Sequence, residues 1–335
     1  MTDTRPVLAE LQDVSVSFTK GNVTAHVVDS INLSIKEGET VALIGESGSG
    51  KSVTSLAIMH LLPRAKIDGK IMWHGKEGAR NLLALSTREM RSFRGGSIGM
   101  IFQEPMTSLN PLFKIGDQIA EAARLHRPVS RQEARQIAED SLRLVGIPEP
   151  RGRLNTYPFE MSGGMRQRVM IAMSLVCRPA LLIADEPTTA LDVTIQAQIL
   201  ELLRRLQEEL GMSMLFITHD FGVVAEIAER IAVMYAGQIV EQGATQQILE
   251  NPVHPYTRAL LNAIPRLDKR SARLASIEGV VPDPRALPPG CRFATRCQFA
   301  VPDLCTSQPP PLSELQDGHA VRCARWPEFA RVEYA

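Results

Sequence analysis

The stretch that decides the fold is GESGSGKS, which runs from Gly45 to Ser52. It matches the pattern G-x-x-x-x-G-K-[ST] at every fixed position, and in that pattern the glycines let the backbone close around phosphate oxygens. Residues 40–44 before it form a short apolar run, and residues 52–62 after it have helical spacing up to Pro63. The stretch therefore predicts a phosphate-binding loop (P-loop) between a buried strand and a helix.

The residue types in this loop predict which atoms meet the phosphates. Backbone N–H groups point inward at the glycines, and the following helix adds the positive end of its dipole. Lys51 can reach β- and γ-phosphates, and the Ser52 hydroxyl is placed to bind Mg²⁺. The candidate nucleotide contacts are Gly45, Glu46, Ser47, Gly48, Ser49, Gly50, Lys51 and Ser52.

An acidic pair, Asp185 and Glu186, follows a second short apolar run at residues 181–184. Open α/β sheets bind their ligands at the carboxyl ends of such strands. By itself the pair is better explained as an acidic turn, but beside a complete P-loop it predicts a catalytic role. We expect Asp185 to hold Mg²⁺ through water and Glu186 to polarise the attacking water as a general base.

Strand and helix patterns alternate over the first 250 residues. Residues 8–18 and 31–35 show the period of two that is typical of strands, and 214–218 is a further apolar strand. Residues 195–210 keep helical spacing until Gly211. These patterns predict an α/β domain at residues 1–250 with a mainly parallel sheet.

A stretch of helices and loops at about residues 86–178 interrupts that alternation. Ser130 and Glu133 have the spacing of a capping box, and the helical pattern behind them ends at Gly146. We expect this stretch to be a helical subdomain inserted into the α/β domain.

The overall charge limits the possible functions, because 37 basic and 37 acidic residues leave a formal net charge of zero. This balance argues against a broad nucleic-acid-binding surface. The first residues lack the pattern of a secretory signal, and no run approaches the roughly 18 apolar residues needed to cross a bilayer. We expect a soluble, cytosolic chain in a compartment that disfavours structural disulfides.

Four of the five cysteines lie in a proline-rich tail, which we expect to form a separate loop-rich module at residues 251–335. They are separated by 5, 7 and 17 residues. Zinc sites have tighter cysteine pairs, whereas iron–sulfur clusters accept varied spacings. Spacing alone leaves a cluster, zinc and free thiols comparable. The four residues are Cys291, Cys297, Cys305 and Cys323. Cys177 is expected to be a small core residue.

Several further motifs resemble those of ATP-binding cassette (ABC) ATPases and follow the family order over about residues 8–245. MSGGMRQ at residues 161–167 resembles the family signature. Gln103 is similar to the Q-loop glutamine, and residues 189–192 to the D-loop, which ends at Asp192. His219 stands where the family has its switch histidine, and Phe18 where an aromatic ring stacks on adenine.

The resemblance implies a P-loop NTPase fold and a head-to-tail dimer. Ser162, Gly163 and Gly164 of one subunit would close over ATP held by the P-loop of the other, and Asp192 would lie at the same site. His219 would contact the γ-phosphate, and Gln103 the Mg²⁺ and the attacking water.

The signature departs from the common family form at two positions, where methionine replaces leucine (Met161) and glutamine (Met165). These changes leave open whether both composite sites of a dimer are equally active. Arg166 and Gln167 either contact the partner's nucleotide or belong to a solvated helix face.

Within the family, the chain most resembles ATPase subunits of bacterial oligopeptide and dipeptide importers. The resemblance rests on residues 104–111, 251–260 and the cysteine tail. It implies a peripheral subunit at the cytoplasmic face of the membrane, paired with a second, paralogous ATPase on two permeases. A peptide-binding protein outside would deliver substrate, and Leu109 to Phe113 would either contact a permease or pack within a surface loop.

The same resemblance favours a [4Fe–4S] cluster at Cys291, Cys297, Cys305 and Cys323, since some of these importer subunits carry one. It does not select among di- and oligopeptides, D,D-dipeptides, glutathione and nickel chelates as substrates.

Two other classes of P-loop protein fit less well. ATPases of this family that act on DNA or ribosomes usually carry long coiled coils or two cassettes. Here Gln103 and Ser162 are only 59 positions apart, which leaves no room for a long coiled-coil arm. A GTPase would need an Asn-Lys-x-Asp segment, which the sequence lacks.

Overall fold

The computed structural model describes residues 4–75, 78–103, 108–189, 191–263 and 277–330. Residues 104–107 of the loop expected to meet a permease, and Ala190 in the D-loop, lie outside the described residues. Contacts between residues divide the chain into two compact units. The helical unit comprises Met1–Leu8, Ile35–Glu39 and Ala84–Ile217. The P-loop unit comprises Ala9–Ser34, Thr40–Leu83 and Thr218–Ala335.

The secondary structure of the described residues is as follows. The strands are β1 (Val7–Lys20), β2 (Val23–Lys36), β3 (Thr40–Ile44), β4 (Ala65–Gly75), β5 (Gly78–Asn81), β6 (Ile98–Ile101), β7 (Leu181–Asp185), β8 (Ser213–Thr218), β9 (Arg230–Tyr235), β10 (Gln238–Ala244), β11 (Ser313–Glu314) and β12 (Ala320–Val321). The α-helices are α1 (Lys51–Ile58), α2 (Thr87–Phe93), α3 (Ile115–His126), α4 (Arg131–Leu144), α5 (Pro150–Arg153), α6 (Gly163–Leu175), α7 (Val193–Leu210), α8 (Phe221–Ile227), α9 (Thr245–Glu250), α10 (Pro255–Asn262) and α11 (Trp326–Phe329).

The helical unit contains the parallel strands β8, β7 and β6, which lie side by side in that order. All five residues of β7 are buried, as expected for a parallel strand. Helices α3 and α4 pack against each other and against α6. The capping box is confirmed, since the Ser130 hydroxyl accepts from the Glu133 N–H at 3.2 Å. Gly211 ends α7 in a left-handed conformation, also as predicted.

The P-loop unit contains an antiparallel sheet in the order β2-β1-β4-β5. The sequence predicts strands at both positions and a mainly parallel sheet for the domain as a whole, but the sheet that contains β1 and β2 is antiparallel. An alternating pattern reports that one face is buried but not the direction of the neighbouring strand. The same unit contains β3, which pairs in parallel with β9 and is fully buried.

Strands of the cysteine tail extend the sheet that contains β3 and β9. β10 pairs antiparallel with β9 on one side and with β12 on the other, and β11 pairs with β12. Phe293 of the tail packs on Tyr235 and Tyr256, with ring centroids 5.2 and 5.3 Å away. The tail thus shares a hydrophobic core with β9 and α10, and its independence as a module stays a prediction.

Glu241 in β10 ties the tail to the sheet and is fully buried. Its carboxylate accepts from the Val253 N–H at 2.6 Å and from the His254 N–H at 3.0 Å, and His319 Nε2 lies 2.8 Å away. We expect Glu241→Ala to lower the free energy of unfolding by about 3–5 kcal/mol, because buried donors lose their acceptor. Urea denaturation measures this loss. The exposed Glu250→Ala is the control, and equal stability of the two variants would contradict the prediction.

No helix within the described ranges combines the length and the apolar character needed to cross a membrane.

Candidate functional site

The P-loop follows β3 and leads into α1, as the sequence predicts. Two glycines are required there by close contacts with neighbouring strands. A Cβ on Gly45 would lie 2.2 Å from the Met234 carbonyl oxygen. Gly50, with φ of 105°, would place a Cβ 2.9 Å from the carbonyl oxygen of Val27. The loop therefore holds its conformation only because these positions lack side chains.

Lys51 points back into the loop that it ends. Its Nζ donates to the carbonyl oxygens of Gly45 at 2.7 Å and Glu46 at 3.0 Å, and the residue is buried. The hydroxyl of Ser49 is also buried, and among the described residues no group hydrogen-bonds to it. A buried positive charge and an unsatisfied hydroxyl in a glycine loop fit a phosphate group.

Two other predicted site residues lie in the same unit. Phe18 is half-buried in β1, where it pairs with Ala65 of β4. His219 is exposed directly after β8 and precedes Asp220, which caps α8 by accepting from the Gly222 N–H at 2.8 Å. The histidine therefore lies at the carboxyl end of a strand, where ligands of α/β sheets bind.

The acidic pair and the Q-loop glutamine lie in the helical unit, and the structure brings these residues together. Asp185 is buried at the end of β7. One oxygen of Glu186, Oε2, accepts from Gln103 Nε2 at 3.0 Å and from the Thr189 hydroxyl at 2.8 Å. Glu186 has a φ of 46°, a strained conformation that is common at functional sites. The sequence placed Thr189 in the D-loop but did not predict its hydrogen bond to Glu186.

The signature residues begin α6 in the helical unit. Ser162 is the N-cap, and its hydroxyl accepts from the Met165 N–H at 3.4 Å. Gly163 is exposed, and a Cβ would meet no atom within 4 Å. A Cβ on Gly164 would lie 2.9 Å from Ile195 Cγ2, so this glycine lets α6 approach α7. An exposed helix start with a serine and two glycines offers N–H donors to an anion.

Two neighbours of the signature are not available for such a contact. Gln167 is buried and donates to the Pro187 carbonyl, so it is neither on a solvated face nor free to reach a partner's nucleotide. Arg166 donates through Nε to the Pro158 carbonyl at 2.7 Å. Met161 is buried, which explains why an apolar residue of similar size serves there.

Asp192 is exposed at the N-cap of α7, where Oδ1 accepts from the Ile195 N–H at 2.9 Å. This cap explains its position without any ligand. The predicted D-loop role of Asp192 stays a prediction.

The four tail cysteines line one pocket in the P-loop unit together with Phe293, Phe299 and Phe329. All are free thiols. Burial, with a smaller contribution from the other three cysteines, raises the pKa of Cys323 to about 12. Cys177 lies in the helical unit and does not line this pocket; its thiol faces the Ala122 carbonyl at 3.8 Å. Spacing along the chain could not predict this convergence.

In the parts of the chain that the structure describes, no three or more His, Cys, Asp or Glu residues are arranged to hold a metal ion. The four thiols therefore line the same pocket, but they are not arranged in a metal-coordination geometry.

The chain matches two protein families. Residues 28–189 match the family described as ABC transporter, and residues 240–305 match the family described as oligopeptide/dipeptide transporter, C-terminal region. The first match contains the P-loop, the Q-loop, the signature and the acidic pair. The second begins in β10 and ends at Cys305.

Similar proteins cover nearly the whole chain. A putative peptide import ATP-binding protein of Brucella melitensis is 56% identical over 90% of this chain and 92% of its own length. The dipeptide transport ATP-binding proteins DppD of Bacillus subtilis and Escherichia coli are each 49% identical. They cover 97% and 94% of this chain, and 96% of their own lengths.

Solved structures agree with the family at the level of the nucleotide-binding fold. A dimeric ATP-binding cassette, solved in a post-hydrolysis state bound to ADP and Pi, has a TM-score of 0.63 and 30% identity. The match covers 71% of this chain and 99% of that cassette. The chain belongs to the family of ABC transporter ATPases that carry the oligopeptide/dipeptide transporter C-terminal region.

Proposed function

We propose that this chain binds and hydrolyses ATP to power the import of di- or oligopeptides through a membrane ABC transporter. One observation carries the proposal. Relatives that are about half identical over 90–97% of the chain are named peptide import or dipeptide transport ATP-binding proteins. The match to the oligopeptide/dipeptide C-terminal region points to the same substrate class.

We infer that the P-loop holds the phosphates of ATP. The glycine cradle, the buried Lys51 and the unsatisfied Ser49 hydroxyl support this role. Lys51 would leave the carbonyl oxygens of the loop for the β- and γ-phosphates. Phe18 would stack on adenine.

We propose that Ser52, Gln103 and Asp185 would hold Mg²⁺, because each side chain carries an oxygen atom, the type of ligand that Mg²⁺ prefers. When bound, the ion neutralises charge that develops on the phosphates. Glu186 would take a proton from the attacking water, and Gln103 holds the carboxylate of Glu186 in place at 3.0 Å. His219 would contact the γ-phosphate.

The signature residues would serve the nucleotide of a second subunit. Ser162 and Gly163 are exposed at the start of α6, a thirteen-residue helix that presents its positive end there. A similar cassette is dimeric in its solved structure. We propose a head-to-tail dimer with a like ATPase, a paralogue, in which Gly164 and Asp192 would lie at the same composite site.

Apolar side chains near residue 110 support docking to a permease at the cytoplasmic face of the membrane. Leu112 and Phe113 are exposed by 80% and 56%. Leu109, expected from the sequence to join this contact, is buried and belongs to the core. The proposed permease contact therefore leaves out Leu109.

Purification of the chain from solubilised membranes tests the proposed function. We expect two permeases and a second ATPase to co-purify, and the reconstituted complex to import a labelled dipeptide when ATP and a peptide-binding protein are present. Leu112→Ser and Phe113→Ser should reduce recovery of the permeases without lowering ATP affinity, whereas Leu125→Ser, which changes an equally exposed leucine, should not. Recovery of ribosomes or DNA without a permease would overturn the proposal.

We also propose that the four tail cysteines hold an iron–sulfur cluster. Four free thiols that line one pocket supply the ligand set of a [4Fe–4S] cluster. Iron would stabilise the thiolate forms that burial otherwise disfavours. A cluster of reduced thiols packed as small apolar groups is the competing explanation.

Anaerobic purification distinguishes these explanations. We expect a brown protein that contains iron and inorganic sulfide in equal amounts, and Cys297→Ser and Cys323→Ser should each lose most of both. Cys177→Ser is the matched control and should keep them, since Cys177 lies outside the pocket. A colourless protein, or one with stoichiometric zinc, would overturn the cluster.

A further inference from the structure

The segment between two of the pocket cysteines contacts the P-loop. Arg296 forms a two-pronged ion pair with Glu46, the second residue of the loop, at 2.7 Å from Nη1 to Oε2 and 3.1 Å from Nη2 to Oε1. The side chains are 4% and 25% exposed. A bidentate pair with one nearly buried partner is among the stronger ion pairs in proteins, and it fixes direction as well as distance.

Glu46 is held at its other polar groups too. Its N–H donates to the Tyr256 hydroxyl at 3.0 Å, and its carbonyl accepts from Lys51 at 3.0 Å. Burial raises the pKa of Tyr256, so the hydroxyl stays neutral. The carboxylate, the N–H and the carbonyl of Glu46 therefore all have hydrogen-bond partners. The partners of the carboxylate and of the N–H are residues of the C-terminal region.

Arg296 is itself held firmly. It donates to the Glu278 carbonyl at 2.9 Å and the Ile277 carbonyl at 3.1 Å, and its guanidinium lies over the Tyr235 ring, 5.7 Å from the centroid. The next residue, Cys297, lines the thiol pocket. A continuous set of contacts thus runs from the pocket through Arg296 to the P-loop.

We propose that Arg296 is a positioning residue that holds the P-loop through Glu46 and makes nucleotide affinity depend on the conformation of the cysteine tail. This inference rests on the proposed binding of ATP by the P-loop. A loop of inward-facing N–H groups binds phosphate best when it is already arranged, because ordering it during binding costs affinity. Release of Glu46 should therefore weaken ATP binding although Arg296 does not touch the nucleotide.

Nucleotide titration of purified variants tests the link. We expect Arg296→Met and Glu46→Gln each to weaken ATP binding by about 5- to 30-fold, in the lower part of the range of about 5- to 150-fold that is usual for coupled sites. The double variant should be no weaker than the poorer single variant, because both remove one interaction. Arg296→Lys should restore part of the affinity.

Arg292→Met is the matched control. Arg292 lies in the same tail segment and forms a comparably buried ion pair with Asp29, and it also donates to the Ala236 carbonyl. It should disturb the tail to a similar extent but leave ATP affinity within about threefold of the wild type.

Hydrogen exchange provides a readout that a merely structural role would not change. By reciprocity, ATP should slow amide exchange at residues 290–300 in the wild type, and this protection should disappear in Glu46→Gln, which leaves the tail sequence intact. Wild-type protein that fails to bind ATP would contradict the proposed function. Wild type that binds ATP, with Glu46→Gln binding equally tightly or keeping the tail protection, would overturn the positioning role.

Discussion

Glu186→Gln is expected to lower the kcat of ATP hydrolysis by at least about 100-fold while ATP affinity stays within about threefold of the wild type. The carboxylate follows a fully buried strand and accepts from Gln103 and the Thr189 hydroxyl. Glutamine has nearly the same shape and keeps one oxygen to accept these bonds, but it cannot take a proton from water. The substitution thus removes the base and leaves the surroundings in place.

Steady-state hydrolysis and nucleotide titration on the assembled transporter separate the two effects. Thr189→Val removes one hydrogen bond to the same carboxylate but keeps the base, so we expect a loss of only about tenfold. Glu201→Gln, on an exposed face of α7, should be neutral. Wild-type kcat in Glu186→Gln would show that another group activates the water.

Lys51→Met is expected to raise the Kd for ATP by at least about 100-fold. Two charge-assisted hydrogen bonds to phosphate, at about 1.5–3 kcal/mol each, account for a loss of this size. Methionine keeps the apolar length of the side chain in a position that is only 5% exposed, which limits the effect on folding. It leaves the carbonyl oxygens of Gly45 and Glu46 without their present donor.

The control is Lys66→Met, which removes an exposed lysine paired with Asp68 on β4. Its ATP affinity should match that of the wild type, and thermal unfolding of both variants checks that neither loses the fold. ATP binding within tenfold of the wild type in Lys51→Met would rule out the lysine as a phosphate contact.

Pattern-based prediction worked best where a single segment carries its own signal. The strand at Thr40–Ile44, the capping box at Ser130 and the end of α7 at Gly211 are all as predicted. Each depends on neighbouring residues only, through hydrophobic spacing, a local hydrogen bond or a left-handed glycine. The helix after the P-loop ends at Ile58, earlier than the end predicted at Pro63. It ends there because His60 adopts a positive φ of 51°, which no local sequence pattern predicts.

Prediction failed where pairing partners are far apart in the chain. The two-residue strands β11 and β12 are too short to show a period, and they exist only because β10 offers them a sheet edge. The direction of β1 and β2 depends on β4 in the same way. The thiol pocket was suggested by family resemblance, whereas the residues that surround it could not be read from the sequence.

The motifs for ATP chemistry can be read directly from the sequence, since each is a short segment whose backbone course its own residues dictate. Glycines at fixed intervals make the P-loop, and a buried strand presents Asp185 and Glu186 at its end. The attachment of the tail is different in kind. Arg296 lies 250 positions from Glu46, and Tyr256 lies 210 positions from it. Their meeting depends on how β3, β9 and α10 pack around one aromatic core, so only the folded chain shows that the cysteine segment and the P-loop are in contact.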